Sequence, residues 1–244
     1  MATAQEEYAV NRTGILTGLA NALSMVSLNT ILSPTELASL TSRVLASNPT
    51  IDPFSTFVLP RNSTDNKVAQ IELIFLPYKI TMPKASPGKT YLTIITALMH
   101  PLSRGSVHIS SASPLSHPVI DNRFFSELVD REILLAAVRF AAKVGAQEPL
   151  KSELAGTTDE VPDDQLWEEI KTSAQTTKHP LGTCAIGTVV DGELKVKGVK
   201  GLRVADASVI PLHVSAHTQA TVYAIAERAV EIILKERGNC GSSS

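Results

Sequence analysis

Two apolar runs separated by a Pro-Gly turn constrain this chain more than any other feature. Val68–Ile80 carries Ile71, Leu73 and Phe75 in alternation with Glu72 and Ile74, the period of a strand rather than a helix. Thr90–His100, TYLTIITALMH, is dense in β-branched residues and predicts a well-buried strand. Ser86-Pro87-Gly88 between them makes an antiparallel pair the natural connection, and Pro77 predicts an edge or a bulge in the first strand. A shorter strand, Phe54–Leu59, is expected before the pair. Another, Ser106–Ser110, is expected after the bend at Pro101–Gly105.

Helical signals flank these runs. Ser33 as N-cap, Pro34 in the first turn and Glu36 at the third helical position predict a capped helix reaching Leu45 or Ala46. Gly14 and Gly18 predict an irregular arm over residues 11–33. Leu128, Ile133, Leu134, Ala137, Val138, Ala141 and Val144 form an apolar stripe within a helix spanning Phe124–Gln147. Pro162–Ser173 reads as an acidic helix whose Trp167 is expected to pack on the sheet, and Thr218–Lys235 as a final amphipathic helix. A meander followed by helices gives an α+β fold, with an antiparallel sheet of about 4–6 strands flanked by helices.

The chemistry concentrates between Lys178 and Ala229. His179 opens this stretch and His217 lies 38 positions on. Between them the apolar segment Leu202-Arg203-Val204-Ala205 reads as a strand that stops at Asp206, followed by Pro211, a polar loop and the last helix. Two imidazoles delivered to one place by loops suit proton transfer. A lone histidine is more often structural, and His100, His108, His117 and His213 take that default. His213, just upstream of the loop, is the first exception to consider.

Composition excludes other classes. A net charge of -2 with 5% aromatic residues argues against nucleic acid or an anionic membrane as partner. Cys184 and Cys240 form neither a metal pattern nor a disulfide framework, so no metal is expected. No apolar run approaches the ~18 residues of a membrane span. The N-terminal MATAQEEYAV lacks the basic and apolar regions of a signal peptide, so the expected location is cytoplasmic.

His179-Pro-Leu-Gly-Thr-Cys184 together with Leu202-Arg-Val-Ala-Asp-Ala-Ser-Val-Ile-Pro211 resembles the glucose-methanol-choline (GMC) oxidoreductases, FAD-dependent alcohol oxidases and dehydrogenases. Asn11-Arg-Thr-Gly14, Pro101-Leu-Ser-Arg-Gly-Ser-Val107 and Pro118-Val-Ile-Asp121 extend the likeness along the chain, which corresponds to the C-terminal half of a member. The resemblance implies a substrate-binding domain over 1–177. It implies the catalytic His motifs with an FAD-domain-like strand and helix over 178–237, and 238–244 is expected to be a disordered tail. It gives His179 the role of general base and His217 that of the second catalytic residue. It places Asp206 and Ala207 beside the FAD pyrophosphate, and Thr218 and Gln219 near the flavin ring. The implied substrate is a small alcohol or carbonyl compound.

The G-x-G-x-x-G segment with which the family cradles FAD does not occur in this sequence. The missing cradle would come from a homodimer partner or from a separate FAD-binding polypeptide. A second reading stays open: a cofactor-free acid/base enzyme, such as a cyclase, isomerase or dehydratase of natural-product biosynthesis, using the same His179/His217 pair.

Overall fold

The computed structural model describes residues 2–12, 22–47, 68–80, 91–153 and 161–241. They fall into two compact units, Met1–Ser103 with Phe125–Gln175, and Arg104–Phe124 with Thr176–Ser244. The units exchange at 175/176, and the 104–124 segment goes with the second.

The first unit is built on a three-stranded antiparallel sheet, β1 (Ala22–Val26), β2 (Ile71–Leu76) and β3 (Thr93–Leu98), with β2 in the middle. The alternation in β2 does what its period predicts. Ile71, Leu73 and Phe75 stand opposite Leu98, Thr96 and Ile94 and join the main core, while Glu72 turns to the other face opposite Met25 and Ala97. Pro77 lies just beyond the strand, so its missing N–H ends a central strand instead of marking an edge. The irregular arm expected over 11–33 is corrected in its second half. The N-terminal helix α1 spans Ala2–Asn11; Ala22–Val26 is a strand because it pairs along β2, and Leu28–Ile31 is a short helix, α2. Phe54–Leu59 and the Ser86–Gly88 turn lie outside the described residues.

The predicted cap is present. α3 runs Pro34–Ser47; the Glu36 carboxylate accepts the Ser33 N–H at 2.7 Å and the Ser33 hydroxyl at 2.6 Å, while the Glu36 N–H donates to Ser33 Oγ at 3.3 Å. These bonds, the Ser33 hydroxyl first and its backbone N–H second, hold the Glu36 carboxyl below its ordinary 4.5. A depressed folded pKa means the cap's charged form stabilises above the unfolded value and is lost as pH falls through the folded one. Glu36→Gln is therefore expected to flatten the acid limb of the stability–pH profile. Urea unfolding at stepped pH values below neutral reads this directly.

The long helix α4 (Leu128–Gly145) lays Val129, Ile133, Ala137 and Ala141 into the sheet core. A second face, through Leu135 and Val138, packs on Leu166 and Trp167 of the Asp163–Ser173 helix. Trp167 thus packs on helices and not on the sheet. Its ring meets Phe125 edge-on with centroids 4.9 Å apart, and the Arg131 guanidinium lies 5.3 Å from its centroid. The tryptophan is expected on the sheet only if α4 has a single apolar stripe, and α4 has two.

The second unit contains a two-stranded antiparallel hairpin, β4 (Ser106–His108) and β5 (Val119–Asp121). The α+β class stands, with the five described strands divided between two sheets. Gly105 enters the hairpin where a Cβ would come within 2.2 Å of the Asp121 carbonyl oxygen. Gly105→Ala is expected to cost about 1–3 kcal/mol by overpacking a backbone contact that cannot yield, read as a lowered Tm. Leu202–Ala205 forms no full strand. Its partner is a tight turn, so pairing stops at one antiparallel bridge between Arg203 and Lys195, supported by Val196 N–H to Leu202 O at 3.0 Å and Val204 N–H to Leu194 O at 3.1 Å. Val190, Leu194, Val209 and Ala229 form this unit's core, and Ala229 belongs to the last helix, Gln219–Gly241. No helix among the described residues is long and apolar enough to cross a membrane.

Candidate active site

The segment carrying His179 is pinned from below. At Gly182 the backbone takes φ +88°, where a side chain would be strained although Ile210 O would lie an ordinary 3.6 Å from its Cβ. The chain then runs back along the 3₁₀ turn Ala207–Val209, with Cys184 N–H donating to Ser208 O and Ile186 N–H to Val209 O, both at 2.9 Å. Asp206 makes that turn. Its carboxylate accepts the Ser208 N–H at 2.8 Å as an N-cap, and its carbonyl accepts the Val209 N–H at 3.2 Å. Asp206 is exposed and Ala207 half-buried.

Past Pro211 the loop returns to the same place. The rings of His179 and His217 lie 5.1 Å apart between centroids, tilted by 50°. The helix begins directly after: the Thr218 carbonyl accepts the Val222 N–H at 2.9 Å, Thr218 is buried at 8% exposure, and Gln219 is exposed on the first turn. Of the six site residues read from the sequence, His179 and His217 are ring neighbours. Asp206 and Ala207 form the turn that holds the His179 segment. Thr218 and Gln219 start the helix that follows His217.

His179 is half-buried and His217 exposed, so an oxygen atom approaching from solvent can reach both imidazoles. Such a pair can take a proton from a hydroxyl with one ring and hold the resulting charge with the other.

A third ring, given a structural default in the sequence reading, belongs to the same cluster. His213 sits 6.2 Å from His179 between centroids. Its four-residue spacing from His217 in a loop was the available signal, but spacing in a loop has no fixed geometry. Among the described residues no group of three or more His, Cys, Asp or Glu side chains is arranged to hold a metal ion.

Comparison with known proteins places this arrangement. The sequence profile described as GMC oxidoreductase matches residues 101–226, which include His179, Asp206 and His217. The chain is similar to a dehydrogenase of Monascus purpureus, 44% identical over 153 residues, covering 60% of this chain and 24% of that protein. It is similar to a dehydrogenase of Armillaria gallica at 30% identity over 251 residues, covering 97% and 39%. Among solved structures it resembles a formate oxidase of Aspergillus oryzae RIB40, studied for modification of its FAD, with a TM-score of 0.74 at 27% identity, covering 98% and 42%. The chain therefore spans less than half the length of each of these relatives. With the profile matched over the stretch that carries both histidines, and with a solved relative superposing along nearly the whole chain, this protein belongs to the GMC oxidoreductase family.

Proposed function

We propose that this chain acts as the substrate-binding, proton-handling half of a FAD-dependent GMC alcohol oxidoreductase, with His179 as general base. The observation that carries this reading is the 5.1 Å separation of the His179 and His217 rings. Alcohol oxidation removes the hydroxyl proton while hydride leaves the carbinol carbon, and a base within hydrogen-bond reach of the hydroxyl serves the first task. His217, beside it, orients the oxygen and stabilises developing alkoxide charge. FAD, when bound, would supply the hydride acceptor.

The residues present fit the flavin end of that cofactor. Thr218 and Gln219 open a 23-residue helix directly after His217, and a helix N-terminus favours an electron-rich group. The Asp206 carboxylate is already engaged with Ser208 N–H, so any role toward the pyrophosphate runs through the turn it shapes. The Gly-rich cradle would lie outside the residues of this sequence, whether in the same polypeptide, in a partner copy or in a separate FAD-binding polypeptide. Exposed Tyr223, Val230 and Leu234 along the last helix, and Val107 opposite Ile120 on the hairpin, offer apolar surface for such a partner. The substrate is a small alcohol, or a carbonyl compound in the reverse sense.

A second reading rests on the same imidazole pair. A cofactor-free cyclase, isomerase or dehydratase would need only the pair. Anaerobic addition of aliphatic and aromatic primary alcohols to the FAD-supplemented protein separates the two. Bleaching of the flavin band supports the oxidoreductase. An unbleached flavin beside a product of unchanged oxidation state supports the second reading.

A further inference from the structure

We propose that Lys178 is a positioning residue for His179, acting through its backbone and not through its ammonium group. Lys178 holds φ +63°, the left-handed region, where a Cβ crowds the following carbonyl and glycine or asparagine is the usual occupant. Its N–H donates to Thr176 Oγ1 at 3.0 Å, closing a turn of the kind that threonine hydroxyls form with the chain two residues on. The lysine side chain is exposed. A non-glycine residue keeps such a conformation only where its surroundings over-determine it, and residues of this kind cluster at functional sites. Here the next residue is His179.

The sequence leaves the backbone of the base few other freedoms. Pro180 has its own φ fixed at about −65° and confines the residue before it, His179, to extended backbone. Downstream, Gly182 takes φ +88°, and the Cys184 and Ile186 N–H groups are bonded to Ser208 O and Val209 O. The direction in which the chain enters His179 is therefore set at Lys178. Returning Lys178 to an ordinary φ of roughly −60° would turn the chain there by about 120°. That turn would carry the His179 Cα–Cβ bond away from the place where its ring stands 5.1 Å from the His217 ring. The meaning of Lys178 for catalysis rests on the function proposed above, whereas its hold on the ring pair does not.

Two pairs of variants separate backbone from side chain. Lys178→Asn discards the ammonium group but tolerates the left-handed region, whereas Lys178→Val is β-branched and does not. Thr176→Ser keeps the hydroxyl acceptor and Thr176→Val removes it. The nuclear Overhauser contact between His179 and His217 ring protons, measured on the full histidine-labelled chain without FAD or substrate, reads the ring separation directly. The wild-type chain is expected to show this contact and the Asn and Ser variants to keep it. Both Val variants are expected to weaken it at least ~3-fold. Unchanged methyl signals of Val190, Leu194 and Val209, in the core of this unit, establish that the fold persists. A wild-type chain without the contact, a folded Lys178→Val chain that keeps it in full, or an Asn variant that loses it as the Val variant does, overturns the proposal. Should Lys178→Val fail to fold, the Thr176 pair decides by the same criterion. With FAD bound, Lys178→Val is expected to lower kcat for an alcohol up to ~10²-fold with KM little changed, the scale of a misplacement of about 1 Å. An unmoved kcat in a chain that has lost the ring contact, or an absence of flavin binding, would instead count against the function proposed above and leave the ring result standing.

Discussion

His179→Ala is expected to slow alcohol-dependent flavin reduction about 10²–10⁴-fold, the range for losing a positioned general base. The effect should be chemical and not structural. The second unit's core is Val190, Leu194, Val209 and Ala229, and none of these contacts depends on the imidazole. The segment is also held by backbone bonds at Cys184 and Ile186, which the substitution leaves intact. His217→Ala should cost about 10²–10³-fold, as for removal of one donor to a developing oxyanion. The two effects should not add, because residues that act as a unit give strongly non-additive losses. A double variant near the level of His179→Ala alone is the expected pattern. Stopped-flow reduction of all three proteins checks it, and full activity in both single variants would mean the site lies elsewhere.

The largest expected loss of stability comes from Asp130→Ala. Asp130 is 1% exposed in the first turn of α4 and accepts Leu102 N–H at 2.8 Å and Ser103 N–H at 2.9 Å, one on each carboxylate oxygen. Glu127 N–H returns a bond to Ser103 Oγ at 3.1 Å. The carboxylate thus ties the exit of β3 to the start of the helix that carries Ile133 and Ala137 into the core. Truncation leaves two backbone donors without their acceptor at about 1–3 kcal/mol each. That rivals the roughly 2–5 kcal/mol expected for truncating fully buried Ile133 to alanine. The Arg43–Glu132 pair at 2.7 Å, with the arginine half-exposed, should by contrast contribute at most about 1 kcal/mol. Equilibrium urea unfolding orders the three. Asp130→Ala should lower the midpoint with little change in slope, and an unchanged midpoint would show that the tether bears no load.

The sequence was most readable where the cause is local. Ser33, Pro34 and Glu36 specify a helix start by their own hydrogen bonds, and the structure shows those bonds. Ile71, Leu73 and Phe75 specify a strand face by period alone. It was least readable where the cause is a partner distant in sequence. Ala22–Val26 becomes a strand through pairing with residues 71–75, a contact no local window contains. Val119–Asp121 is three residues long and gains strand geometry from Ser106–His108. Trp167 finds its surface on a second apolar face of α4 that a single-stripe reading does not register. The site divides in the same way. His179 and His217 stood out because they sit in extended motifs, and the structure makes their rings neighbours. His213 has no motif of its own, and only the folded loop brings it within 6.2 Å of His179.

The most direct test of the central claim is the visible absorption spectrum of the purified chain after incubation with FAD and gel filtration. The account predicts flavin bands travelling with the protein, as a homodimer or together with a separate FAD-binding polypeptide. A colourless protein that leaves all added FAD in the small-molecule fractions, alone and with such a partner present, would contradict it.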